Sequence, residues 1–185
     1  MSTGRCPSAA GFVHAPDFSL SDHLGAAFRL HEHLAGGPLL IVFFRGHWCP
    51  YCRRYLGKLR DHWPRLRERG ARIVAISPEP PATSRVLVTE LGLPFPALSD
   101  PDGRVIDAFG ARNGFASARA VLPHASAFLV DSDGVVRAHS IDRNYKKRTT
   151  VRTILGWLDE LGATGASAPD VAAPDVARRA SPVPT

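Results

Sequence analysis

Two cysteines separated by two residues, Cys49 and Cys52, are the part of the sequence best suited to chemistry. This spacing lets one sulfur attack while the other stays close enough to form a disulfide, which is a two-electron thiol–disulfide cycle. Three cysteines are too few for a disulfide scaffold, so the pair is predicted to be catalytic. The third, Cys6, is more often a bystander in such a position, although it could resolve a sulfenic acid from the N-terminal arm.

The residues around the pair favour a reactive thiol. An apolar run ends just before them and a helical pattern starts at Cys52, so the cysteines should open a helix. Free N–H groups at a helix start stabilise a thiolate and lower the thiol pKa from about 8.5 into the range of roughly 3.5–7.5. Arginine adds positive charge, proline suits a first helical turn and tryptophan would shield the sulfur. The predicted supporting residues are Arg45, Trp48, Pro50 and Tyr51.

Metal-centred alternatives to a redox pair are weaker. A structural zinc site needs two further ligands at regular spacing, and only isolated histidines such as His47 and His124 are at hand. The stretch 31–33, His-Glu-His, is predicted to be extended, with two separate surface histidines. We therefore expect no metal and no cofactor. His47 itself is either a proton relay beside the thiolate or an exposed turn residue, and both interpretations stay open.

Hydrophobic patterning predicts one α/β domain between two irregular ends. Residues 1–15 read as a flexible N-terminal arm, 16–162 as the domain and 163–185 as a disordered Ala/Pro-rich tail. The order of elements is hairpin, strand, helix, strand, helix, strand, helix, antiparallel hairpin, helix. This order predicts a central mixed β-sheet flanked by helices on both faces.

Composition and charge narrow the function classes. The longest apolar run, 38–44, is far below the roughly 20 residues that cross a bilayer, and the first residues lack an apolar signal core. We therefore expect a cytoplasmic protein with no membrane partner. The net charge of +6 comes largely from two basic runs, within 53–69 and 143–152, which fall in predicted helices or helix approaches and are interpreted as solvent-exposed basic faces. No known nucleic-acid module accompanies them, so we expect no nucleic-acid partner. Attraction for an anionic substrate or an acidic protein stays open.

Six short motifs follow one another along the chain: Ala15-Pro16-Asp17-Phe18-Ser19-Leu20, the run from Phe43 to Cys52, Val74-Ala75-Ile76-Ser77-Pro78-Glu79, Leu98-Ser99-Asp100-Pro101, Phe128-Leu129-Val130-Asp131-Ser132-Asp133-Gly134 and Asp142-Arg143-Asn144-Tyr145. Any one of them is common, but the set in this order is specific and covers about residues 11–161. Taken together, the motifs resemble the peroxiredoxin-like branch of the alkyl hydroperoxide reductase and thiol-specific antioxidant (AhpC/TSA) family, within the thioredoxin superfamily.

The resemblance implies a thioredoxin-like fold and a cysteine cycle that reduces peroxides or protein disulfides. It also implies an external thiol reductant such as a thioredoxin-type protein, and it is compatible with a homodimer. Peroxiredoxins carry P-x-x-x-T-x-x-C; here Arg45 takes the proline position, Cys49 the threonine position and Cys52 the peroxidatic position. Thioredoxins attack with the first cysteine of the pair, so the nucleophile stays open.

A second departure from the family pattern lies near residue 125. Related proteins have a proline or an arginine facing the cysteines there, and this sequence has Ala125. Because the family's threonine and arginine are both missing, a redox-inactive thioredoxin-fold protein that serves as a binding or scaffold protein is the alternative function.

Overall fold

The computed structural model describes residues 14–114 and 121–163. The predicted arm and tail lie outside this part, apart from their residues next to the domain, and so does Cys6. His14 forms an isolated bridge with Val135, which brings the chain onto the sheet just before the predicted domain start.

The described residues form one seven-stranded sheet in the order β2-β1-β5-β4-β3-β6-β7. β3 pairs with β4, and β4 with β5, in parallel, whereas the other neighbours are antiparallel. The sheet is therefore mixed, as predicted. The strands are β1 Ser19–Asp22, β2 Ala27–Arg29, β3 Leu39–Phe43, β4 Arg72–Ser77, β5 Ala97–Ser99, β6 Ala125–Val130 and β7 Val136–Asp142.

Helices cover both faces of this sheet. β3 is buried along its whole length because strands flank it and apolar clusters lie above and below it. One cluster contains apolar side chains of α2, α4 and α6, and the other contains those of α1 and α5. The helices are α1 Leu30–Leu34, α2 Pro50–Asp61, α3 Trp63–Arg67, α4 Pro81–Leu91, α5 Arg104–Ala108 and α6 Val151–Ala163. The predicted fold class is confirmed.

The predicted extended run at 31–33 is wrong, because these residues lie in the short helix α1. The His33 ring stacks on the Phe28 ring with centroids 3.8 Å apart. Arg72 donates one hydrogen bond to the His33 carbonyl at 2.6 Å and another to Nδ1 at 2.8 Å. These contacts tie the helical turn to the start of β4, so His33 is a half-buried structural residue.

Strand direction brings distant segments to one edge of the sheet. Phe43 of β3 is level with Ser126 of β6, and Ser126 is level with Ile141 of β7. Since β6 is antiparallel to both neighbours, β7 runs in the same direction as β3. The segments that follow β3, β4 and β7 therefore leave the sheet at the same edge, where the cysteines lie.

Candidate active site

The cysteine pair opens α2, as predicted. Cys49 is the residue before the helix, with extended φ and ψ of −85° and 109°, and Pro50 occupies the first helical turn. Proline costs nothing there because the first N–H groups of a helix have no intrahelical partner. Both cysteines are free thiols and buried. They lie side by side, since the Cys49 side chain is hydrogen-bonded to the Cys52 sulfur.

Two donors converge on the Cys52 sulfur from separate segments. Arg148 Nη2 lies 3.2 Å from Sγ, and the backbone N–H of Arg45 also donates to it. Both interactions favour a thiolate and lower the pKa of Cys52. Burial and the hydrogen bond with Cys49 act in the opposite direction, and burial dominates, so the pKa of the Cys52 thiol is raised. The predicted lowering is wrong for this sulfur, because desolvation outweighs the donors.

Sequence reasoning missed Arg148, which it placed in a basic run on a solvent-exposed face. The residue follows β7, and its guanidinium reaches the start of α2 because β7 ends at the same edge as β3. The directions of the strands in the predicted sheet could have revealed it, because the segment after a strand parallel to β3 leaves the sheet beside the cysteines. Its Nε and the hydroxyl of nearby Tyr55 are both buried without a hydrogen-bond partner among the described residues. Burial raises the pKa of the Tyr55 hydroxyl, so the phenol stays neutral.

Aromatic and cationic side chains form a rim beside the pair, which consists of Arg45, Trp48, Tyr51 and Tyr145. The Arg45 guanidinium lies 4.8 Å from the Trp48 ring centroid and 5.4 Å from that of Tyr145. Tyr51 packs edge-on against Tyr145, with centroids 5.7 Å apart. About half of Trp48 is exposed. The structure thus assembles all four predicted supporting residues around α2's start, with Tyr145 as an unpredicted member.

His47 is held by a carboxylate that sequence reasoning did not single out as a site residue. Glu79, in the turn after β4, accepts a hydrogen bond from the His47 backbone N–H at 2.7 Å and lies 2.6 Å from ring Nδ1. The Glu79 side chain is 12% exposed and that of His47 42%. His47 is therefore an oriented residue and differs from a freely exposed turn histidine.

Ala125 begins β6 as a buried residue opposite Asp142. The described residues contain no group of three or more metal-ligating side chains. None of the helices within 14–114 and 121–163 is long and apolar enough to span a membrane.

Comparison with known proteins identifies the family. Residues 13–139 match the AhpC/TSA family. The chain belongs to this family. Alkyl hydroperoxide reductase E of Mycobacterium tuberculosis is 33% identical over 151 residues, which cover 80% of this chain and 94% of that protein. The thiol-disulfide oxidoreductase ResA of Geobacillus thermodenitrificans is 32% identical over 124 residues, or 66% of this chain and 64% of ResA.

Solved structures confirm the thioredoxin-like fold. The crystal structure of peroxidoxin BcpB from Mycobacterium tuberculosis has a TM-score of 0.72 at 23% identity and covers 81% of this chain and 96% of its own. Enterococcus faecalis AhpC has a TM-score of 0.72 at 17% identity, with coverage of 87% and 97%. With the family and the adjacent cysteines, the predicted enzyme class is confirmed: the chain is a thiol-dependent oxidoreductase of the peroxiredoxin type.

Proposed function

We propose that this AhpC/TSA member reduces peroxides, with Cys52 as the attacking sulfur and Cys49 as the resolving one. The observation that carries the proposal is the convergence of the Arg148 guanidinium and the Arg45 N–H on the Cys52 sulfur. A thiolate needs such donors in a buried site, since an isolated buried charge is costly. Cys52 also occupies the peroxidatic position of the family pattern.

In this mechanism the Cys52 thiolate attacks the nearer peroxide oxygen and the O–O bond breaks. The sulfur becomes a sulfenic acid, and the departing oxygen takes a proton and leaves as an alcohol or as water. Cys49 then attacks the sulfenic sulfur, which forms the disulfide and releases water. An external thiol reductant, such as a thioredoxin-type protein, returns both sulfurs to thiols by disulfide exchange.

Arg148 replaces the positive charge that the family pattern places near residue 125. Burial keeps the resting Cys52 thiol protonated, so a nearby cation is needed to raise the small thiolate fraction. Arg148 provides this charge from the segment after β7, next to the sulfur. The absence of arginine at Ala125 is thus compatible with peroxide chemistry.

The remaining predicted roles belong to the same proposal. Pro50 lets α2 start at the pair, Arg45 contributes a backbone donor, and Trp48 and Tyr51 shape the opening. We propose a cytoplasmic enzyme that acts as a monomer or a homodimer. The exposed cations of the segment after β7, among them Lys146 and Lys147, favour an acidic face on the reductant.

A disulfide reductase is the second candidate. In thioredoxins the first cysteine of the pair attacks, and Cys49 holds that position here, directly before α2 and after the half-exposed Trp48. The relative ResA carries the name of a thiol-disulfide oxidoreductase. In this case Cys49 attacks a protein disulfide and Cys52 resolves the mixed disulfide.

The test reacts reduced protein with equimolar hydrogen peroxide and follows each thiol by mass spectrometry. All variants also carry Cys6→Ser, so that only the thiols of Cys49 and Cys52 are measured. We expect a stable sulfenic acid on Cys52 in Cys49→Ser and no fast oxidation in Cys52→Ser. Fast oxidation of Cys49 in Cys52→Ser would reverse the two roles. Oxidation no faster than that of free cysteine would refute peroxidase activity; insulin disulfide reduction would then support the second candidate, and its absence the scaffold protein.

A further inference from the structure

His47 and Glu79 form a dyad next to the cysteine pair that the cycle described above does not use. One Glu79 oxygen binds the His47 backbone N–H and the other binds ring Nδ1, at 2.7 and 2.6 Å. The turn that carries His47 is closed by a hydrogen bond from the Cys49 N–H to the Gly46 carbonyl at 3.2 Å. The imidazole is therefore fixed two residues before the resolving sulfur.

Glu79 is itself fixed by the surrounding fold. Its carbonyl accepts a hydrogen bond from the Ser99 hydroxyl at 2.5 Å, and its backbone N–H approaches the Ser77 hydroxyl at 3.4 Å. Gly46 leaves the space that the carboxylate fills, since a Cβ there would lie 2.7 Å from Glu79 Oε1. Hydrogen bonds thus fix the Glu79 backbone, and the space beside Gly46 accommodates its carboxylate.

The contacts determine which ring nitrogen is available. An ionised carboxylate only accepts hydrogen bonds, so Nδ1 carries a proton and donates it to Glu79. In the neutral imidazole, Nε2 then holds the lone pair and can accept a proton. Resting on the proposed function, we infer that the His47–Glu79 dyad relays the proton of Cys49 during disulfide formation.

The relay balances the resolving step without a further reagent. Nε2 accepts the Cys49 proton as that sulfur attacks the sulfenic sulfur of Cys52 and the S–S bond forms. The S–O bond breaks, and the departing hydroxide takes the proton from the imidazolium to give water. The Cys49 sulfur is oxidised, the sulfenic sulfur is reduced, and the imidazole returns to its neutral form. Glu79 acts as a positioning residue whose charge stabilises the transient imidazolium.

The pair His31–Asp17 provides a matched control. Its Nδ1–oxygen distance is 3.4 Å, and both side chains are more than half exposed. It has the same chemical groups as the dyad, but it lies on α1 and the approach to β1, a strand that β5 and β4 separate from β3 in the sheet.

The test measures disulfide closure separately from peroxide attack. Reduced Cys6→Ser protein is mixed with equimolar hydrogen peroxide, quenched with acid at intervals, and the sulfenic and disulfide forms are separated by mass spectrometry. We expect His47→Ala to slow closure about 100-fold, as general acid–base catalysis contributes on this scale, and added imidazole to restore part of the rate. Glu79→Gln should slow closure less, and His31→Ala should close at the native rate.

The outcomes separate the two hypotheses. If Cys52 forms no sulfenic acid, the proposed function fails and the relay fails with it. If Cys52 is oxidised but His47→Ala closes at the native rate, only the relay is refuted. Slow closure that does not respond to imidazole would also refute it, because a purely structural histidine is not replaced by a free base. Circular dichroism of each variant identifies a misfolded chain, and Glu79→Gln then repeats the test with the imidazole in place.

Discussion

Near each end of strand β3, a histidine contacts a charged side chain for which a glycine leaves room. The charge of that side chain is negative at one end and positive at the other. At the cysteine end, His47 contacts the carboxylate of Glu79, and Gly46 leaves room for that carboxylate. At the other end, His33 contacts the guanidinium of Arg72, and Gly36 leaves room for that guanidinium.

The charge of the partner decides what each histidine can do. Arg72 can only donate, so His33 Nδ1 must accept, and protonation would break the contact. Burial, and then the Arg72 charge, lower the pKa of His33. A carboxylate partner instead tolerates an imidazolium. The arginine-bound histidine is thus suited to holding structure, and the carboxylate-bound one to moving a proton.

The largest expected effect lies at the cysteine end, in Arg148→Met. Removing the guanidinium raises the pKa of Cys52 further, because Arg148 lowers it. The thiolate fraction at neutral pH and the rate of peroxide oxidation should fall about 10- to 100-fold. Rapid-quench oxidation of Cys52 in the Cys49→Ser background measures this, with Lys147→Met as the exposed neighbouring control. An unchanged rate would show that the guanidinium contact does not assist the sulfur.

Glycine substitutions compare the two ends directly. Gly46 has a φ of +151°, where a side chain is strained, and Gly36 has no such backbone constraint. Gly46→Ala should reduce the free energy of unfolding by about 1–3 kcal/mol, the usual cost of a sparsely populated backbone conformation. Gly36→Ala should cost about 1 kcal/mol through the displaced Arg72 hydrogen bonds. Urea unfolding measures both, and a larger loss in Gly36→Ala would reverse the ranking.

Arg72→Met tests whether the His33–Arg72 contact at the start of β3 has only a structural role. The variant leaves the His33 carbonyl and Nδ1 without their donor, which should cost about 1–2 kcal/mol of unfolding free energy. The rate of Cys52 oxidation should stay at the native value. Arg69→Met is the control, since its contact with Asp159 lies at the surface and should contribute less to stability than the Arg72 contact. A slower reaction with peroxide in Arg72→Met would show that the contact at the start of β3 affects the reactivity of Cys52.

Local patterns were enough to predict the mixed sheet and the place of the cysteines. The apolar run of β3 and the helical period of α2 each depend on residues that are neighbours in the sequence, and the structure places both elements where these patterns predict them. Proline at the first turn and a cysteine before it follow from the chemistry of a helix start.

Features that depend on tertiary packing were not predicted. Arg148 reaches Cys52 across 96 positions of sequence, through the direction of β7. Glu79 reaches His47 across 32 positions, through the parallel pairing of β3 and β4. The raised pKa of the Cys52 thiol was not predicted for the same reason. The donors at the helix start could be inferred locally, but the burial that outweighs them comes from tertiary packing, which places Cys52 in the same apolar cluster as side chains of β3, α4 and α6.

The smallest expected effect is the contribution of His33 to the pH dependence of stability. The pKa of His33 is lowered in the fold, so the unfolded chain binds the proton first as the pH falls below about 6.5. Its stabilising contribution is thus present above that pH and is lost below it. His23 and His124, whose pKa values are also lowered, act in the same direction.

Urea midpoints at roughly pH 7.5 and 5.5 should therefore differ less in His33→Gln than in the native chain, because glutamine can still accept a hydrogen bond from Arg72 but does not titrate. Equal pH dependence in His33→Gln and the native chain would mean that the contact with Arg72 does not control the protonation of His33. The difference between the two histidines would then depend only on the contact of His47 with Glu79.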